Sequence, residues 1–257
     1  MNITEGLAEL FGAYAGDGSM CARKYDNGLI LSIEVGREGK EWLDHLARLI
    51  EDAFCYYPKV RQLSESYRIQ IRASEICEFF RNAGFVVGSK SLIVRAPRMV
   101  MEASIPIYKA FLRGYFDAEG CLSFKKRSNS ERNVDFKKTH HYYPRIMLCS
   151  TSRDLIVVDI KYMLEAVNLY YSIYKKVPKE ERKHENYNVD INGVTQLEFW
   201  MKEIGSANPV QFSEYEIWKR FGFCPPNTTL EQRREMLSGE LDPKVFYKNN
   251  GGERARS

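Results

Sequence analysis

The nonapeptide Leu10–Gly18 (LFGAYAGDG) returns as Leu112–Gly120 (LRGYFDAEG), 102 positions further along a chain of 257 residues. Such a repeat implies two related structural units joined in one chain. The likeness extends upstream, because Ala8, Gly12 and Gly16 correspond to Ala110, Gly114 and Ala118. Small residues four apart share one helical face, so each copy predicts a helix whose backbone can approach another closely. A second pair of segments, Ser74–Gly84 and Thr195–Gly205, matches at a displacement of 121. Each reads as a helix with an N-cap hydroxyl at Ser74 or Thr195 and a closing glycine. The larger displacement places an insertion in the second copy, much of it in the polar stretch Lys125–Tyr143.

Helical periodicity over residues 40–54 and 153–168, with alternation in Leu29–Val35, Tyr67–Arg72, Arg145–Cys149 and Tyr187–Ile191, completes the unit. It reads helix, two strands, helix, two strands, helix, and occurs twice in a mixed α/β (α+β) fold. Pro97 and Pro106 mark a linker over residues 96–104, and Pro225-Pro226 ends the second copy. The expected divisions are residues 1–100, 101–224 and 225–257. The last holds a helix capped by Thr228 or Thr229, running to about Leu237, and a flexible tail. Six cysteines without a CxxC pair and only four histidines argue against a zinc site or a secreted disulfide framework. No apolar run reaches the roughly 18 residues that span a bilayer. The reading is a soluble, intracellular monomer.

Asp17 and Glu119 occupy one position of the repeat, each at the end of a helix and before a glycine suited to a left-handed cap. A helix C-terminus already carries partial negative charge, so a carboxylate there calls for a compensating cation. If the small-residue faces pack together, both acids emerge at one point beside last-turn carbonyl oxygens. Such hard oxygen donors suit Mg²⁺. Asp117 has Ala15 as its counterpart and reads as structural.

The two nonapeptides, each followed by the same strand and helix order, resemble the paired motifs of the LAGLIDADG homing endonucleases in their single-chain form. The resemblance implies two αββαββα halves, motif helices at a pseudo-twofold interface, and a saddle of antiparallel sheets over double-stranded DNA. It implies a divalent-metal-dependent double-strand break with short 3′ overhangs. Asp17 and Glu119 would hold the metal, with the carbonyls of Gly16 and Ala118. Mg²⁺ is the expected ion, with Mn²⁺ a substitute and Ca²⁺ bound without cleavage. Arg37 and Arg72 fall where the family places a basic or amide residue near the scissile phosphates. The second half has no lysine in register near Thr151 or Asn192, and Lys125 is the fallback. The competing readings are a binding protein on the same scaffold, such as an intron-RNA maturase, and a structural protein without a nucleic-acid role.

A sheet with helices on one face and DNA on the other should alternate apolar with polar or basic residues. That parity exposes Ser19, Cys21, Arg23, Ser32, Glu34, Arg68, Gln70 and Arg72 in the first half, with Lys59 and Arg61 continuing the surface. In the second it exposes Ser123, Lys125, Arg145, Met147, Tyr174, Lys176, Asn188, Asp190 and Asn192. Within the insertion, Lys126, Arg127, Lys137 and Lys138 would meet flanking phosphates. The net charge of +4 is mild, but residues 1–103 carry 13 basic and 14 acidic side chains, and residues 104–257 carry 25 and 20. Acids on outer helices can offset a basic sheet surface, so the small total does not argue against DNA.

Overall fold

The computed structural model describes residues 3–24, 28–126, 139–178 and 184–248. Helix α1 (Glu5–Asp17) starts at Thr4, whose hydroxyl accepts from Leu7 N at 3.2 Å, and runs directly into β1 (Gly18–Ala22). Then come β2 (Leu29–Gly36), α2 (Lys40–Phe54), β3 (Val60–Gln62), β4 (Ser66–Ile71) and α3 (Ser74–Asn82). A short helix α4 (Arg98–Met101) leads to α5 (Ile105–Glu119), where the order repeats. Strands β5 (Cys121–Lys125) and β6 (Tyr143–Ser150) precede a π-wound turn, Leu155–Ile160, that continues as α6 (Lys161–Ala166). Strands β7 (Ser172–Lys176) and β8 (Asn186–Asn192) and helix α7 (Val194–Glu203) close the second copy. Helices α8 (Pro209–Phe221), α9 (Leu230–Ser238) and α10 (Val245–Lys248) follow it.

Both copies form four-stranded antiparallel sheets of one topology, β1-β2-β4-β3 and β5-β6-β8-β7. Alternate residues point inward and are buried: Met20, Leu31, Ile33, Ile69 and Ile71 in one sheet, Leu122, Ile146, Leu148, Val189 and Ile191 in the other. Helices cover those faces, leaving the opposite faces open.

The halves join through α1 and α5, and the small-residue stripe is the cause. A Cβ built on Gly12 would lie 2.1 Å from Phe111 O, and one on Gly114 would lie 2.0 Å from Glu9 O. Nearer the helix ends, a Cβ on Gly16 would stand 2.5 Å from that of Ala118. Only backbones bearing glycine can approach so closely. A buried acid lies at the interface and is paired across it: Glu9, 2% exposed, meets His45 Nε2 at 2.7 Å and accepts from Arg113 Nε at 2.9 Å. Burial opposes ionisation of Glu9, but the bonds from His45 and Arg113 prevail and hold its pKa below the usual carboxylate value.

Several local expectations are corrected. Gly18 (φ −74°) and Gly120 (φ −83°) are extended, not left-handed. They are needed for space, since Cβ atoms there would lie 2.2 Å and 2.3 Å from the rings of Tyr14 and Phe116. Neither Ser74 nor Thr195 is an N-cap: the caps are Ala73 and Gly193, because each helix begins one or more residues earlier than the hydroxyl suggested. Gly84 and Gly205 do take positive φ, as closing glycines should. The stretch read as a linker contains α4, and α8 lies in sequence read only as the end of the second copy. Of the two candidate caps, Thr229 is the one that caps α9, in a full capping box with Gln232.

Candidate metal and nucleic-acid site

Because α1 and α5 pack backbone to backbone and run without a loop into β1 and β5, Asp17 and Glu119 end side by side at the sheet edges. They open into two different clefts. One is lined by Asp17, Ala118, Arg37, Glu34 and Gln211; the other by Glu119, Gly16, Lys90, Cys149 and Thr151. Each acid thus shares its cleft with the penultimate residue of the opposite helix. Burial, and then the neighbouring charge of Glu119, pushes the Asp17 pKa up to about 7, with Lys90 opposing. A carboxylate in that condition gains from any cation placed beside it.

Lys90, which sequence reasoning missed, is that cation in the Glu119 cleft. It stands in the segment between α3 and α4 and donates from Nζ to the carbonyls of Ala15, at 2.5 Å, and Gly16. Its ammonium also lies 5.8 Å from the Tyr14 ring centre. Burial pushes its pKa down to about 8, against the pull of Glu119 and Asp17. The displacement of 121 that relates α3 to α7 carries Lys90 onto Gln211. Gln211 lines the Asp17 cleft, donating to Gly120 O at 2.9 Å and accepting from Leu122 N at 3.0 Å. That correspondence was the available signal for Lys90, since its segment has no periodicity.

The expected donors are therefore present in a sparse set. Among the described residues no three His, Cys, Asp or Glu side chains gather as a metal cluster. A cation at either cleft would take one carboxylate, a main-chain carbonyl, and water or phosphate for the rest, a set that fits Mg²⁺. An ammonium already seated on Gly16 O and on the neighbouring Ala15 O shows that this helix end favours positive charge. Asp117, read as structural or peripheral, lines the Asp17 cleft too but is buried and accepts from Ser206 Oγ at 2.5 Å and Ala207 N at 2.7 Å.

Arg37 and Arg72, the expected basic partners, stand differently. Arg37 lines the Asp17 cleft but is paired with Glu65. Arg72 is exposed just past β4, its Nη2 donating to Gln70 Oε1 at 3.2 Å. On the open face of the first sheet, Ser19, Ser32 and Gln70 form one cross-strand row, and Glu34, Arg68 and Arg61 another. Glu34 accepts from Arg68 Nε at 2.8 Å. Cys21 and Lys59 are exposed, and Arg23 is half-buried, its main-chain N donating to Gly28 O at 2.8 Å.

The second sheet aligns Ser123 with Arg145 and Asn192, and Met147 with Asp190. Arg145 Nη2 donates to Asp190 Oδ1 and Tyr174 OH, both at 2.7 Å. Lys125, Lys126, Tyr174, Lys176 and Asn192 are exposed. Asn188 corrects the expectation: it has the open-face parity but is 5% exposed, flanked in register by Cys149 and Tyr174. Arg127, Lys137 and Lys138 lie outside the described residues.

A family model for a LAGLIDADG-like domain matches residues 106–205. Among solved structures, the LAGLIDADG meganuclease I-AabMI, bound to uncleaved DNA, is 12% identical, covering 86% of this chain and 90% of its own at a TM-score of 0.54. Mesophilic variants of the homing endonuclease I-DmoI give 13% identity, 79% and 92% coverage and a TM-score of 0.53. The chain has the two-motif LAGLIDADG fold. I-DmoI in complex with DNA and Ca is likewise similar, at 16% identity, 79% and 88% coverage and a TM-score of 0.50. No curated protein sequence matches significantly. Within that fold the repeated helices of this chain are α1 and α5, with Asp17 and Glu119 at their ends, and no helix among the described residues is long and apolar enough to cross a membrane.

Proposed function

We propose that this chain is a sequence-specific homing endonuclease that uses divalent metal, Mg²⁺ foremost, to break both strands of a long DNA site and leave short 3′ overhangs. The observation that carries the reading is the pairing of Asp17 with Ala118 in one cleft and of Glu119 with Gly16 in the other. Two clefts side by side suit two strands. A bound divalent ion supplies an activated water and neutralises charge on the phosphate and the departing 3′ oxygen. The protein's own part is positional: the glycine-packed helices hold the carboxylates, and the sheets set the register of the duplex. Lys90 brings a positive charge to one phosphate and Gln211 an amide to the other. Residues 1–100 and 101–224 act as the two DNA-binding halves, with residues 225–257 added to the second.

Arg61, Arg68, Gln70 and Arg72 in the first sheet, with Arg145, Asp190 and Asn192 in the second, carry the chemistry that reads base edges in a major groove. Lys59, Lys125, Lys126 and Lys176 serve phosphates. The test is cleavage of a plasmid bearing the uninterrupted host allele. With Mg²⁺ the protein should produce linear DNA, while Asp17→Asn and Glu119→Gln should each abolish it and still bind. Undiminished cutting by both variants would refute the assignment.

A further inference from the structure

Accepting the metal-site reading above, we infer that the two cation positions are unequal, because Lys90 acts as a resident competitor for the one formed by Glu119 and Gly16. The carbonyl of Gly16 is the main-chain donor that the Glu119 cleft has to offer, and Lys90 Nζ already donates to it and to Ala15 O. A divalent ion entering there must displace the ammonium from Gly16 O or share the cleft with its charge. In the Asp17 cleft, the residue at the corresponding position is the neutral Gln211. Its amide is turned away from Ala118: it donates to Gly120 O and accepts from Leu122 N. The carbonyl next in line, that of Asp117, is held by Asn208 Nδ2 at 3.0 Å. The segment around α8 thus secures the end of α5 without placing a positive charge beside Asp17.

At the main-chain donors the difference is one charge in direct contact: Lys90 sits on Gly16 O, whereas Arg37, which also lines the Asp17 cleft, is paired with Glu65. Two positive charges a few ångströms apart near a protein surface repel strongly enough to weaken binding by about tenfold or more. The Asp17 position fills first as the ion concentration rises, and the Glu119 position fills when Lys90 swings aside, for instance toward a DNA phosphate. Metal occupancy of the second cleft is thereby coupled to the arrival of an anionic partner for Lys90, and free protein holds one ion better than two.

Terbium(III), an oxygen-seeking cation excited through nearby tyrosines, reports this directly on the free full-length protein, since Tyr115 lines the Glu119 cleft and Tyr14 lies near Lys90. Titration should resolve a stronger and a weaker site, with Asp17→Asn removing the stronger and Glu119→Gln the weaker. Lys90→Met should tighten the weaker site about tenfold and the stronger one by less, because the Lys90 charge reaches Asp17 without touching a carbonyl in its cleft. Gln211→Lys should weaken the stronger one, an independent check should Lys90→Met fold poorly. Equal affinities in the unaltered protein, or a weaker site indifferent to Lys90→Met, would overturn the inference while leaving the metal reading intact. Terbium binding indifferent to both Asp17→Asn and Glu119→Gln would overturn the metal reading itself.

Discussion

At the residue scale, Asp17 and Glu9 are buried carboxylates with opposite consequences for stability. Asp17 has its pKa raised from 3.8 to about 7, so the folded protein binds more protons than the unfolded chain between those values. Stability therefore falls as pH rises through that window, by an amount on the order of a few kcal/mol. Asp17→Asn should remove that slope and raise the urea midpoint of metal-free protein at pH 8. Parallel pH profiles for the two proteins would contradict this. Glu9 is lowered, so its contribution is present above the ordinary carboxylate pKa and lost as pH falls through the folded value. Glu9→Gln leaves the Arg113 charge half-buried without its partner and should cost about 3 kcal/mol at pH 7 by urea unfolding, and less at pH 3. Both acids of the repeat were legible as single residues, because duplication at one motif position marks them. Lys90 was not, since a lysine in an aperiodic segment looks like any surface lysine until folding brings it 75 positions back to Ala15.

At the scale of elements, α1 and α5 are specified by absence of side chain. Gly114→Ala would set a methyl 2.0 Å from Glu9 O, which cannot move without shifting the whole of α1. The expected cost is about 1–3 kcal/mol in urea unfolding, the usual penalty for overpacking. An unchanged midpoint in the Gly114→Ala protein would show that α1 and α5 leave room for a methyl between Gly114 and Glu9 O. The helical periodicity of residues 40–54 gave α2 its boundaries, and the β4 alternation placed Arg68 and Gln70 outward, because a strongly patterned element states its own period. Caps were less legible. Whether a hydroxyl residue sits at N-cap or a residue or two inside depends on where the preceding strand releases the chain, as Gly193 does at φ +102° before α7. Helix α8 was missed because partners that hold it are distant in sequence, with Gln211 bonded to Gly120 O and Leu122 N, 91 and 89 positions back.

At the scale of the whole molecule, the +4 net charge conceals a sorted surface in which the two open faces neutralise some of their own cations. Arg68 is committed to Glu34, and Arg145 to Asp190 and Tyr174, whereas Lys59, Arg61 and Lys176 stand exposed at strand edges. Truncating Lys59 or Lys176 to Ala should reduce the salt slope of DNA binding by about one and weaken all sequences alike. Arg145→Ala should instead relax preference at one base pair by about 1–3 kcal/mol in enrichment from a randomised duplex library. A uniform loss from Arg145→Ala would make it a phosphate contact. The helix Leu230–Ser238 ties the second half back to the first, with Leu230 N donating to Glu38 Oε1 and Arg234 paired with Glu41, both at 2.7 Å. The central claim is that Asp17 and Glu119 each serve one strand of a double-strand break. Its most direct measurement is Mg²⁺-dependent cutting of a plasmid carrying the uninterrupted host allele by the unaltered protein, Asp17→Asn and Glu119→Gln. The account predicts linear product from the first alone, all three binding the site; linear product from both variants, or none from the unaltered protein, would contradict it.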